Sequence, residues 1–306
     1  MINLNEKYFI FGKGAMVMKN EINIAIIQME VKSDIFGKDI RRINVNKAIE
    51  LIENVCKENN ELDLVVLPEE FYAGAGYGPI SLPDTYGYFE NEYLAEIQEL
   101  SRKYNVIIIG ALSLKKSEED FKSDNVGFVV DKQGSLLGYQ NRFHKNIQEA
   151  PYTNSGEKFH VFDLDIGKVS LVIGNDILYP EISRKFVLKG AELLINPILL
   201  PGNTEDKDSY PKNIYQISST CRAIENQAYV ITVNGVGEFA HIDMNICGES
   251  LISSPTGVMN VCDNTEQTKI FKITIDDYIE SNRVNPIMKM RNKKVCSIDE
   301  GYRDDV

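Results

Sequence analysis

Short apolar runs alternate with longer segments of helical periodicity along most of this chain, and that alternation restricts it to sheets layered with helices. "INIAIIQM", Ile22 to Met29, reads as a buried strand. The segment after it sets Val45, Ala48, Ile49, Ile52, Val55 and Cys56 on one face of a helix. "LDLVVLPEE" is the next strand and ends at Pro68; "YLAEIQELSRKY" is a second helix and "NVIIIGAL" a third strand. "DNVGFVVDKQGSLLGYQNR" has the pattern of a hairpin turning at Asp131 to Gly134.

The second half repeats this theme. "KVSLVIGND" is a strand, "PEISRKFVLKG" a helix closed by Gly190, "ELLINP" a strand, "YPKNIYQISSTCRAIENQ" a helix and "AYVITVNGVG" a strand. "SLISSPTGVMNV" and "TKIFKITID" follow as further strand pairs. The expectation is an α/β protein of two similar halves, each in the order β-α-β-α-β-β. With no long Gly, Ser or Pro linker between the halves, residues 21–291 are expected to form one domain. Residues 1–20 are an N-terminal extension and residues 292–306 a polar tail. The polar stretch from Ile198 to Lys212 is long enough to act as a lid or pocket wall.

Bulk properties exclude several classes of partner. A formal net charge of -12 over 306 residues disfavours nucleic acid, which needs a basic face. No apolar run reaches the ~20 residues of a membrane helix, and the charged N-terminus lacks the apolar core of a secretory signal. The 5 cysteines, Cys56, Cys221, Cys247, Cys262 and Cys296, are odd in number and widely spaced, and there are 3 histidines. Neither a disulfide framework nor a metal site is expected, no cofactor is implied, and a reducing cytoplasm is the default location.

One strand-to-helix turn is the place to look for chemistry. In "VSLVIGNDILYPEISR", Val169 to Arg184, an apolar run ends at Gly174 and Pro180-Glu181 opens a helix. Turns of this kind push one side chain into a cleft and often carry a nucleophile. Here the residue is a glycine, which has no side chain to offer, and its presence points to an unusual backbone conformation.

Around that turn the chain resembles the nitrilase superfamily of carbon-nitrogen hydrolases, from about Ile22 to Arg291. "DLVVLPEEFYAGAGYG" is similar to the family's first motif, which places the family's general base at Glu69 and sets Tyr77 at the pocket. "RAIENQAYVITVNGVG", "GESLISSPTG" and "RVNPIMKMRNK" resemble later segments in the family's order. The resemblance implies a four-layer αββα sandwich. It also implies a cysteine nucleophile assisted by a glutamate and a lysine, and homodimers formed through the helices "PEISRKFVLKG" and "YQISSTCRAIENQ".

The catalytic positions depart from that pattern. Aligning "GYQNRFHK" on His144 puts Arg142 where the family has its lysine, and aligning "IGNDILYPE" puts Gly174 where it has its cysteine. Asn175, Asp176, Tyr179, Pro180 and Glu181 remain around the gap, and Glu149 matches a second glutamate that positions the lysine in many relatives. Glycine supplies no atom for an acyl-enzyme bond, so the two-step covalent route is closed. Arg142 keeps a positive charge but does not yield a proton near neutral pH.

Two functions from different classes follow. One is a non-hydrolytic pseudoenzyme that binds a small ligand, or a regulator, with Glu69, Arg142, Glu149, Asn175, Asp176 and Tyr77 at the pocket. The other is an enzyme of altered chemistry, with Glu69 as base and Arg142 anchoring an anion or oxyanion of an amide, ester or acyl substrate. Glu69 and Arg142 are alternatively a buried ion pair that only satisfies itself. His144 and Asp176 read as scaffold, and Cys221 as packing rather than as a replacement nucleophile.

Overall fold

The structure, a computed structural model, describes residues 18–33, 38–74, 92–117, 119–147, 149–199, 201–202, 212–238 and 245–293. Its first half runs β1 (Glu21–Gln28), α1 (Lys38–Glu58), β2 (Leu64–Glu69), α2 (Glu92–Tyr104), β3 (Ile107–Leu114), β4 (Asp124–Val130) and β5 (Leu136–Asn141). Next come β6 (Phe162–Leu164), β7 (Gly167–Leu171), a short 3-10 helix (Gly174–Leu178), α3 (Pro180–Leu188), β8 (Leu193–Pro197) and β9 (Pro201–Gly202). The chain continues through α4 (Lys212–Asn226), β10 (Tyr229–Val233), β11 (Val236–Glu238), β12 (Asn245–Cys247), β13 (Leu251–Ser254) and β14 (Gly257–Val261). It closes with β15 (Gln267–Thr274), α5 (Asp276–Val284) and α6 (Ile287–Met290).

Two six-stranded sheets result, in the orders β15-β1-β2-β3-β4-β5 and β14-β13-β10-β8-β7-β6, beside a small sheet β11-β12-β9. Strand alternation decides what each sheet face covers. Ile22, Ile24, Ile26, Leu64, Val66, Ile107 and Ile109 of the first sheet share one buried cluster with Val169, Leu171, Leu193, Ile195, Tyr229 and Ile231 of the second. The neighbours in sequence point the other way. Ala25, Ile27, Val65, Leu67 and Ile108 pack on Val45, Ala48, Ile52, Leu94 and Ile97 of α1 and α2. On the far side Val172, Leu194 and Val230 pack on Ile182, Phe186, Tyr215 and Ala223 of α3 and α4. The layers are therefore αββα, with three cores stacked between them.

Two features differ from the sequence expectation. β15 does not complete the second half; it crosses back and pairs antiparallel with β1, from Glu21 opposite Thr274 to Gln28 opposite Gln267. The two halves are interlocked rather than merely apposed. Residues after β15 also continue as helices α5 and α6, tied to the body by Gln227, whose amide donates to Ser281 Oγ at 2.8 Å and to the Asn285 carbonyl at 3.0 Å. Most of the polar loop from Ile198 to Lys212 lies outside the described residues, as do residues 1–17 of the N-terminal extension and residues 294–306 of the tail.

Candidate functional site

The site forms where several strands end at one edge of the sandwich. In β2, Pro68 has no N–H to give to the ladder, and the register with β3 slips between Val66 and Glu69. This irregularity sets Glu69 at the strand end, where its N–H reaches across to the Ile198 carbonyl that follows β8, at 3.4 Å. Glu70 follows with φ of 51°, in the left-handed region. Arg142 leaves β5 with its N–H on the Asn125 carbonyl (2.9 Å) and its own carbonyl accepting from Gly156 N (2.7 Å). Gly174 opens the 3-10 helix after β7 with φ of +53°, which explains a glycine at the elbow on conformational grounds alone.

These elements bring Glu69, Arg142 and Gly174 together. The Glu69 residue is 4% exposed and Arg142 6%. The Arg142 Nη1 donates to Glu69 Oε1 at 3.1 Å, and its Nη2 pairs with Glu149 Oε2. Glu69 also accepts from Asn125 Nδ2 at 2.7 Å on Oε1 and from Leu199 N at 3.2 Å on Oε2. A β-carbon built on Gly174 would stand 2.8 Å from Glu69 Oε2 and 3.1 Å from Oε1, so the carboxylate end would have to shift to admit it. Glycine at 174 is thus favoured twice, by its left-handed backbone and by the carboxylate that lies against it.

Electrostatics follow from burial. Desolvation pushes the Glu69 carboxyl above its ordinary range, while Arg142 and the Asn125 amide oppose the shift. Glu70 has its carboxyl on the Ser113 hydroxyl and, at 3.3 Å, on Asn125 Nδ2. Burial, with Glu69 next to it, lifts Glu70 to about 7.

The remaining expected residues are partly in place. Glu149 pairs with Arg142, and its Oε1 is held by Asn146 Nδ2 at 2.5 Å. Asp176 is buried; it accepts from the backbone N–H of Phe143 (2.8 Å) and His144 (2.9 Å) and contacts His144 Nδ1 at 2.9 Å. It thereby fastens the Arg142 loop to the Gly174 turn. His144 stacks on Tyr179 with ring centroids 3.5 Å apart. Asn175 is turned toward α4, where its Oδ1 accepts from Tyr215 Oη. Tyr77 lies outside the described residues. Cys221 is exposed on α4 rather than a buried packing residue. Glu70, Asn125 and the Leu199 N–H were not anticipated; only Glu70 had a signal, its position beside Glu69 at the end of a strand.

Residues 23–283 match the family model described as carbon-nitrogen hydrolase. The chain belongs to the carbon-nitrogen hydrolase family. It is 28% identical over 269 residues to a nitrilase of Pyrococcus abyssi, covering 85% of this chain and 90% of that one. It is 29% identical over 238 residues to a 2-oxoglutaramate amidase of Bacillus subtilis, covering 76% and 83%. Among solved structures, a carbon-nitrogen hydrolase from Helicobacter pylori G27 superposes with a TM-score of 0.78 at 25% identity, over 90% of this chain and 96% of that chain. As in such family members, two sheets are flanked by helices. Among the described residues no helix is long and apolar enough to cross a membrane. No group of three His, Cys, Asp or Glu side chains among them converges as a metal ion would need.

Proposed function

We propose that this member of the carbon-nitrogen hydrolase family is a non-hydrolytic pseudoenzyme that binds a small polar ligand or acts as a regulator. Gly174 takes the position of the family's cysteine and Arg142 that of its lysine. One observation carries the reading: the Glu69 carboxylate fills the space in which a side chain at 174 would begin. A general base pressed against the nucleophile's position has no hydroxyl or thiol there to deprotonate. Altered chemistry with Arg142 as an anion anchor is disfavoured by the same geometry, because both terminal nitrogens of that guanidinium are engaged by Glu69 and Glu149.

A panel of amides, esters and nitriles tests this. Wild type is expected to give no turnover that depends on Glu69, whereas Gly174→Cys with Arg142→Lys is expected to form a covalent adduct with an activated ester. Turnover by wild type that is abolished in Glu69→Gln defeats the pseudoenzyme reading.

Residues 21–291 are taken as one domain, and the free thiols accord with a cytoplasmic location. The partner we propose besides the ligand is a second copy of the chain, seated on α3 and α4. Ile217 (59% exposed), Cys221 and Ile224 recur on one face of α4, and Leu188 of α3 is 49% exposed. Sedimentation of wild type is expected to give a dimer and Ile217→Glu a monomer. A monomeric wild type overturns this part.

A further inference from the structure

Among the described residues, the cluster around Arg142 holds more acceptors than donors. Its carboxylates are Glu69, Glu70 and Glu149, and its one guanidinium sends its terminal nitrogens to Glu69 and Glu149. Asp176, close enough to act on Glu69 electrostatically, adds negative charge and is already engaged by the Phe143 and His144 amides. Asn125 sits between Glu69 and Glu70, and its side-chain nitrogen serves both carboxylates, at 2.7 Å and 3.3 Å. Turning the amide over would set its oxygen against those carboxylates, so its orientation is fixed. Among the described residues its Oδ1 is then left buried with no donor, in a residue only 6% exposed. Buried polar atoms are ordinarily paired. An orphaned acceptor beside an excess of negative charge asks for one guest that supplies both N–H groups and positive charge.

We propose that the cluster of Glu69, Glu70 and Asn125 binds a compact N–H-bearing cation, the ammonium ion or a small primary ammonium group. A carboxylate ligand is the wrong sign for it. A multivalent metal ion would want three or more His, Cys, Asp or Glu ligands, and no such group occurs among the described residues. The proposal rests on reading the site as a ligand-binding, non-hydrolytic one and names the chemical class of its ligand.

The test is thermal unfolding and calorimetric titration of the full chain with ammonium chloride and methylammonium chloride. Controls at matched ionic strength are sodium chloride, tetramethylammonium chloride and sodium acetate. Saturable stabilisation by the first two salts alone is expected, since a ligand bound by the folded state raises the melting temperature. Glu70→Gln, which removes the ionisable carboxyl and keeps the shape, is expected to weaken binding tenfold or more. Asn125→Ser serves the same purpose if Glu70→Gln does not fold.

An equal response to sodium or tetramethylammonium, preferential binding of acetate, or undiminished affinity in both variants overturns the proposal. So does a crystal structure grown in ammonium salt in which Asn125 Oδ1 meets only water. Hydrolytic turnover would remove the non-hydrolytic reading while leaving cation binding to stand or fall by titration. Absence of both binding and turnover would remove only the ligand class.

Discussion

Glu69 Oε2 lies 2.8 Å from the point where a β-carbon on Gly174 would stand, so the carboxylate and the glycine occupy complementary halves of one space. Gly174→Ala must therefore displace a carboxylate held by Arg142, Asn125 and Leu199 as well as strain a backbone at φ +53°. The backbone component alone is about 1 kcal/mol. In a double-mutant cycle with Glu69→Ala, measured by urea denaturation, the alanine is expected to cost less once the carboxylate is gone, with a coupling of about 1 kcal/mol. Additive effects would mean that the two residues do not contend for the space.

Removing the guanidinium strands two carboxylates. Arg142→Met is expected to destabilise by about 3–5 kcal/mol, the range for breaking a buried ion pair by deleting one partner. Neutralising the partners as well, with Glu69→Gln and Glu149→Gln, should recover much of the loss. Denaturation midpoints of the single and triple variants check this.

Glu70 predicts a pH dependence of definite sign. Its folded value of about 7 lies above the ordinary 4.5, so between those limits the folded state holds more protons than the unfolded. Stability from this group is fully present below about pH 4.5, declines as pH rises, and is lost beyond about pH 7. Glu70→Gln is expected to flatten that segment of a stability-against-pH curve. A variant curve parallel to wild type would show that the carboxyl titrates normally.

Asp176→Ala should be costly although Asp176 makes no hydrogen bond to Glu69. Two buried-side amides, of Phe143 and His144, lose their acceptor. An unpaired buried group costs about 1–3 kcal/mol. Hydrogen exchange of those two amides is expected to rise ahead of exchange in β5, marking release of the Arg142 loop.

Much of this was legible in the sequence because its causes are local. Alternating apolar residues fixed which side of β1, β2 and β3 meets helices, and Pro180 and Gly190 bracket α3 where punctuation residues should. The juxtaposition of Glu69, Arg142 and Gly174 came through resemblance, since each lies at the end of a different strand. Asn125 was invisible: an asparagine in a hairpin strand carries no mark of facing a carboxylate across the sheet edge. The destination of β15 was invisible for a related reason, as a strand's partner is chosen by the whole fold. The upward shift of Glu70 comes from burial and the neighbouring Glu69, against the Ser113 bond that opposes it, and no spacing in the sequence encodes that burial.

The crossing of β15 to β1 also has a bearing on synthesis. As the nascent chain emerges, β1 can find β2 once the latter appears, but its other edge stays bare until β15 has been made. For that interval the growing polypeptide exposes an unpaired, largely apolar strand edge, the feature through which chains join one another into aggregates. Assembly of this molecule is consequently gated by its C-terminal third: a polypeptide stopped before Gln267 keeps β1 with one open flank, however well its early helices have formed.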